Sequence, residues 1–216
     1  MFRVIDPRRA GDLEVVGLGG DLSVGSLLWA YRRGIFPWPT PGYPLLWFCP
    51  PRRAILDFAH LHVPRRLARL RRRAPLTFTI DRAFPQVIAA CRQAPRPGQN
   101  GTWITPGLLR AYVAFHEAGH AHSVEAWDED GALVGGLYGV SVDGCFAGES
   151  MFHRAPNASK LALLHLIDHL RARGLDWLDI QMMTPHMAAL GATEIPRDEF
   201  LDRLDATCAR GLTLFD

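Results

Sequence analysis

The dipeptide Asp143-Gly144 constrains this chain more than any other feature. It stands between LVGGLYGVSV and CFAGESMF, two apolar runs punctuated by glycine. Asp-Gly between such runs specifies a tight hairpin, because both residues accept the backbone angles that the turn demands. RAPNASKLALLHLIDHLRARG follows with the spacing of an amphipathic helix, and LDWLDIQ reads as a further strand. The stretch from Leu133 to Gln181 therefore predicts hairpin, helix and strand, and the rest of the chain must pack around it. Glu149, Ser150, Asp179 and Gln181 are the conspicuous polar groups in these apolar strands. A polar group in a sheet interior needs a partner or a job. Strict alternation puts Trp177, Asp179 and Gln181 on one face of their strand. A carboxylate beside an amide can fix the amide's orientation, leaving its oxygen to accept from an amine. Spacing alone equally allows an ordinary buried hydrogen-bonded pair.

Upstream, Asp21 or Ser23 can cap a helix from about Val24 to Arg33, which Gly34 ends. IFPWPTPGYPLLWFCPPRRAIL holds six prolines, two tryptophans and two phenylalanines, which predicts a rigid, aromatic-lined loop region. PRRLARLRRR predicts a helix carrying Arg65, Arg69, Arg72 and Arg73 on one side and Leu67 and Leu70 on another, a stripe suited to phosphates. From Thr77 the order reads β-α-α-β-β-β-α-β-α. The tail from MTPHMAALGATEIPRDEFLDRL reads as helical with a proline break. The loop APRPGQNGTW is Pro/Gly-rich and is expected to be mobile or ordered by a ligand. This is a mixed α/β (α+β) layout, with a small N-terminal unit over residues 1–57 and a larger domain over residues 58–216.

Other chemistries find little support. The net charge is only +2, and one residue of the 24 basic ones is a lysine, so the arginine stripe stands out by position rather than by overall charge. No apolar run is long enough to span a bilayer, and the N-terminus has no export-signal core, which favours the cytoplasm. The four cysteines are scattered and suggest free thiols. No Gly-rich phosphate loop or GxSxG elbow occurs. His116-Glu117-Ala118-Gly119-His120 matches HExxH, but Gly119 falls where the helix should stop, so the imidazoles diverge and no metal is expected. His165 and His169, four apart on an amphipathic helix, are better explained by surface or edge positions.

The chain resembles the bacterial leucyl/phenylalanyl-tRNA–protein transferases. The likeness rests on GDLSVGSLLWAYRRGIFPW, the LLW-x-x-P-x-R block at Leu45 to Arg53, TWITP, AYVAFHEAGHAHSVEAW, LVGGLYG, GESMFHRAPNASK, LDIQ with the following His186 and LGA, and EIPRDEFL. It implies an enzyme that moves leucine, phenylalanine or methionine from aminoacyl-tRNA to the α-amino group of proteins beginning with Arg or Lys, marking them for degradation. It implies a Gcn5-related acetyltransferase-like mixed sheet and no cofactor or metal. The acetyl-CoA pyrophosphate loop is missing, which fits a tRNA donor. The other readings are an acyl-CoA-dependent N-acetyltransferase and a non-catalytic RNA-binding module. By resemblance, Asp179 and Gln181 are the catalytic pair, the Asp orienting the Gln and the Gln assisting the amine; a rival account gives that proton transfer to the substrate. Glu149 would hold the cationic N-terminus. Trp47 and Trp103 would meet the terminal adenosine. Leu137, Phe146, Met151, Leu163 and Leu178 would line the aminoacyl pocket. Arg65, Arg69, Arg72 and Arg73 would contact the acceptor stem. Leu137, Phe48, Ala189 and Thr184-Pro185 depart from the family pattern and bear on selectivity more than on reaction type.

Overall fold

The computed structural model describes residues 3–95 and 102–215. Most of the Pro/Gly-rich loop expected to be mobile or ligand-ordered, residues 96–101, lies outside the described residues.

The chain opens with short strands β1 (Arg3–Val4) and β2 (Val15–Leu18). Helix α1 (Val24–Tyr31) starts where Ser23 accepts a hydrogen bond from the Ser26 N–H at 3.3 Å. Gly34, at φ +69°, turns the chain out of the helix; a Cβ there would lie 2.6 Å from the Phe200 ring, so only glycine fits. Strands β3 (Phe36–Trp38) and β4 (Leu46–Phe48) complete an antiparallel sheet of order β1-β2-β4-β3. The next strand, β5 (Arg52–Asp57), does not join it. It pairs with strands far along the chain, so a boundary at residue 57 would leave a strand of the large sheet in the small unit.

Helix α2 (Arg65–Arg71) carries Arg65 and Arg69 of the arginine stripe; Arg72 caps its end and Arg73 lies beyond it. Strand β6 (Thr77–Ile80), helices α3 (Phe84–Gln93) and α4 (Pro106–Glu117), and strand β7 (Ala121–Trp127) come next. The predicted hairpin is β8 (Leu133–Val142) and β9 (Cys145–His153), followed by α5 (Ala158–Ala172) and β10 (Trp177–Gln181). The tail is not purely helical. Between α6 (Pro185–Ala189) and α7 (Arg197–Cys208) lies the edge strand β11 (Thr193–Pro196), too short for its period to show in sequence.

Seven strands form the large sheet in the order β11-β5-β10-β9-β8-β7-β6. All neighbours are antiparallel except β10 and β9. The meander, helix and added parallel strand follow the acetyltransferase-like order that the resemblance implies. Helix α5 covers one face through buried Leu161, Leu163, Leu166, Ile167 and Leu170. Each such side chain contributes about 1.5–3 kcal/mol relative to leaving it in water. Helices α3 and α4 cover the other face through Phe84, Val87, Leu108, Tyr112 and Phe115. Gly135 lets α5 sit directly on β8, since a Cβ there would meet that of Ala158 at 2.5 Å. No helix among the described residues is long and apolar enough to cross a membrane.

One detail of the sheet positions everything that follows. The parallel contact between β9 and β10 has a single register pair, Asp179 with Ala147. Beyond it the two strands stop pairing, and a cavity opens between them.

Candidate active site

The cavity has a volume of about 320 Å³. Leu137 of β8, Met151 of β9, Leu163 of α5, Leu178 of β10 and Met187 of α6 give it apolar walls. Glu149 and Gln181, with Ser150, Thr184 and His186, supply its polar wall. Trp38 and Trp103 stack at 4.8 Å between centroids, 15° from parallel, and line both this cavity and a neighbouring groove.

Two irregularities in the strands aim the polar groups. Tyr138 pairs with Ser150 and Gly139 with Gly148, so Glu149 is an extra residue without a cross-strand partner. Likewise Asp179 pairs with Ile55 and Gln181 with Ala54, leaving Ile180 as the extra residue. Gln181 reaches its place with φ +62°, a left-handed conformation unusual for a residue with a side chain. A bulge re-aims a side chain by breaking the two-residue alternation. Gln181 accordingly joins Leu178 and Ile180 at the cavity. Asp179 does not line it. The shared face expected from alternation is therefore corrected: the bulge sends the two side chains to different places.

Glu149 is the hub. Its Oε1 accepts from the Tyr31 hydroxyl and from Gln181 Nε2, each at 2.6 Å, while Oε2 accepts from the Tyr112 hydroxyl at 3.4 Å. Tyr31 and Tyr112 are also in hydrogen-bond contact with each other; Tyr31 spends its one proton on Glu149, so Tyr112 shares its own between Tyr31 and the longer contact to Glu149 Oε2. Burial pushes the Glu149 carboxyl up to about 7, against the opposing hydrogen bonds from Tyr31 and Gln181. Burial first, and then the nearby Glu149 charge, hold both phenols well above the usual tyrosine range, so both remain donors. When Glu149 is ionised it can only accept, so the Gln181 amide then turns its nitrogen to it, as the 2.6 Å contact from Nε2 has it. Its carbonyl oxygen is then left for another donor. Glu149, not Asp179, sets the orientation of this amide.

Asp179 is engaged elsewhere. Arg53 of β5 grips it bidentately, Nε to Oδ1 at 2.8 Å and Nη2 to Oδ2 at 2.7 Å, with both side chains buried. Oδ1 also accepts the backbone N–H of Gln181 at 2.9 Å. The Arg53 guanidinium lies between the rings of Phe36, at 4.8 Å, and Phe200, at 4.4 Å.

Of the residues expected at the site, Glu149, Gln181, Trp103, Leu137, Met151, Leu163 and Leu178 all line the one cavity. Two do not. Trp47 is fully buried, its indole N–H donating to the Gly19 carbonyl at 2.9 Å, because its place on β4 faces the core. Trp38 stands at the cavity in its stead. Phe146 is also core: its ring fills the space over Gly139, whose absent Cβ would lie 2.4 Å from it, and packs against Phe215. Sequence reasoning missed Tyr31, Tyr112 and Arg53. The signal for Tyr31 was that a phenol buried on a helix always needs a partner for its hydroxyl, but the sequence does not say which.

Arg65, Arg69, Arg72 and Arg73 are exposed and pair with no acid among the described residues, whereas Arg71 is bound to Asp168 of α5. Helix α4 ends at Glu117, within the HExxH pattern. His116 then stacks on Phe84 at 4.4 Å, while His120 packs on Phe115 at 5.1 Å. His165 stacks on Phe78, and His169 Nε2 meets the Leu214 carbonyl at 2.8 Å. Among the described residues no group of three or more His, Cys, Asp or Glu side chains could hold a metal ion.

Comparison with known proteins gives a family. The model of the leucyl/phenylalanyl-tRNA protein transferase family matches residues 55–205, and that of its N-terminal domain matches residues 20–51. A leucyl/phenylalanyl-tRNA–protein transferase of Anaeromyxobacter dehalogenans strain 2CP-C is 50 % identical over 199 residues, covering 92 % of this chain and 85 % of that protein. One from Nitratidesulfovibrio vulgaris strain DP4 is 49 % identical over 203 residues, covering 94 % and 86 %. Among solved structures, L-PGS from Bacillus licheniformis is 17 % identical with a TM-score of 0.41, covering 72 % of this chain and 51 % of that one.

Proposed function

We propose a division of labour for a reaction that ancestry fixes: the chain belongs to the leucyl/phenylalanyl-tRNA–protein transferase family. It is an aminoacyltransferase, moving an amino acid from aminoacyl-tRNA to a protein acceptor. Leucine, phenylalanine and methionine are the proposed donor residues, and proteins with N-terminal Arg or Lys in the cytoplasm the proposed acceptors. Transfer marks those acceptors for degradation. The observation that carries the assignment of the site is the junction of an apolar cavity with a hydrogen-bonded carboxylate–amide pair.

The donor side chain enters the wall of Leu137, Met151, Leu163 and Leu178. Long, flexible apolar residues suit an unbranched or singly branched guest and reject a shorter one by only about 1–3 kcal/mol per methylene. Trp38 and Trp103 offer a stacking surface for the terminal adenosine. The acceptor's α-ammonium approaches Gln181 Oε1, the one polar atom of the amide not already bound to Glu149. It gives up a proton before attack. Glu149, with its carboxyl near 7, is the basic group within one hydrogen bond of that amide. The free amine then attacks the ester carbonyl. A new amide forms, the ester C–O bond breaks, and the ribose oxygen leaves with the second proton that the attacking nitrogen loses. Positioning two reactants in this way supplies most of the rate, since the ester is already activated.

Two experiments test this. With leucyl-tRNA and a peptide beginning with Arg, radiolabelled leucine is expected on the peptide N-terminus. Product with acetyl-CoA alone would overturn the reading, and tRNA binding without any product would reduce the chain to an RNA-binding module. The exposed arginines of α2 and of its C-terminal end are proposed to meet acceptor-stem phosphates. Changing Arg65, Arg69 and Arg72 together to glutamine is expected to weaken tRNA binding and lower the slope of log K against log salt by about 2–3. An unchanged slope would remove α2 from the interface.

A further inference from the structure

We infer that Arg53 is a positioning residue for the transfer reaction, acting through Asp179 to hold Gln181 in its left-handed bulge. The inference rests on the role proposed above for Gln181. It departs from the mechanism implied by resemblance, in which the aspartate acts on the glutamine amide.

The atoms leave Asp179 little choice of role. Both its carboxylate oxygens are taken by Arg53, and the third bond runs to the backbone N–H of Gln181, not to its side chain. That N–H belongs to a residue at φ +62°, where a side-chain-bearing residue persists only if its surroundings over-determine it. Ladder pairing alone does not do so: Gln181 keeps Ala54 as its partner on β5, but the register slips immediately before it, between Asp179 and Gln181. The hydrogen bond from Gln181 N to Asp179 Oδ1 therefore fixes the bulge, and Asp179 is itself fixed by the guanidinium.

Arg53 is in turn immobilised. It is 1 % exposed and held between the Phe36 and Phe200 rings, so its fork cannot swing. Phe200 comes from α7 and Phe36 from β3, in opposite ends of the chain. The small sheet and the C-terminal helix thus clamp one guanidinium, which clamps the aspartate, which sets the backbone that presents Gln181 to Glu149 at 2.6 Å. A planar five-donor fork is required here. Lysine would keep the charge but could not satisfy both oxygens in one plane.

Arg53→Lys tests the chain of contacts. The expected result is a turnover about 10- to 100-fold lower, as for a reacting group displaced by a fraction of an ångström, with the KM for leucyl-tRNA within about twofold. In a Gln181→Ala background the same Arg53→Lys change is expected to cost less than about twofold, because the group it positions is gone. A purely structural arginine would cost the same in both backgrounds, and that outcome overturns the proposal. Wild-type turnover in folded Arg53→Lys overturns it too. Should Arg53→Lys fail to fold, Phe200→Leu loosens one side of the guanidinium without unpairing the buried charges. It should show a smaller loss with the same dependence on Gln181, and its absence counts against Arg53. If Gln181→Ala alone leaves turnover intact, the failure belongs to the role assigned to Gln181, not to Arg53.

Discussion

Replacing Glu149 by glutamine is expected to slow leucine transfer by about 10²–10³-fold at pH 8, within the usual range for losing a proton-handling group. The same variant should have a higher thermal midpoint than the natural protein. Both effects come from one cause. Burial raises the carboxyl from its ordinary 4.5 to about 7. The folded protein therefore holds a proton that the unfolded chain releases between about pH 4.5 and 7. With more protons bound in the folded state, stability falls as pH rises through that window. Above it, the buried charge costs on the order of 3 kcal/mol. Glutamine carries no charge and avoids that cost, while its amide can still accept from Tyr31 and Gln181. The natural protein should accordingly gain activity as pH rises through about 7 and lose stability over the window just below. Single-turnover transfer rates and melting curves, taken across about pH 5.5–9 with a blank for ester hydrolysis, read both. Unchanged turnover in Glu149→Gln would remove this residue from the chemistry. A lower melting point at pH 8 would mean that its hydrogen bonds outweigh its burial.

How much of this was legible in the sequence follows from which forces act locally. The hairpin at Asp143-Gly144, the α5 amphipathicity and the β10 strand are written in turn chemistry and periodicity, and they stand where the residues placed them. Glu149, Asp179 and Gln181 could be singled out because polar groups are conspicuous in apolar strands. Their geometry could not. Alternation is the only rule that a strand sequence offers, and both critical residues sit where alternation breaks. A bulge is set by the partner strand's register, which lies elsewhere in the chain. Trp47 and Trp38 illustrate the same limit. Both are tryptophans in a proline-rich segment, and only the pairing of β3 with β4 decides that Trp47 is buried and Trp38 is not. Arg53 and Tyr112 could not be tied to the site for a further reason: their partners, Asp179 and Glu149, lie 126 and 37 residues away.

The most damaging single substitution should be Asp179→Ala. It leaves the Arg53 guanidinium buried without a counter-charge, which typically costs about 3–5 kcal/mol. Against a total stability of about 5–15 kcal/mol for a protein of ordinary size, that is enough to unfold much of the population near physiological temperature. Loss of activity in this variant would say nothing about chemistry. The informative protein is the double variant Arg53→Met, Asp179→Leu. Removing both charges and filling their space with apolar groups is often neutral for stability, because neither ion then has to be desolvated. The Phe36 and Phe200 rings already provide an apolar sleeve for methionine. The double variant is therefore expected to regain most of the lost stability in urea unfolding. It should not regain turnover, because the Gln181 N–H has lost the Asp179 Oδ1 acceptor that fixes its left-handed backbone. Recovery of stability without recovery of transfer separates the two roles of the aspartate. Recovery of both would show that the buried ion pair serves the fold alone, and that Gln181 is held by Glu149 without help from beneath.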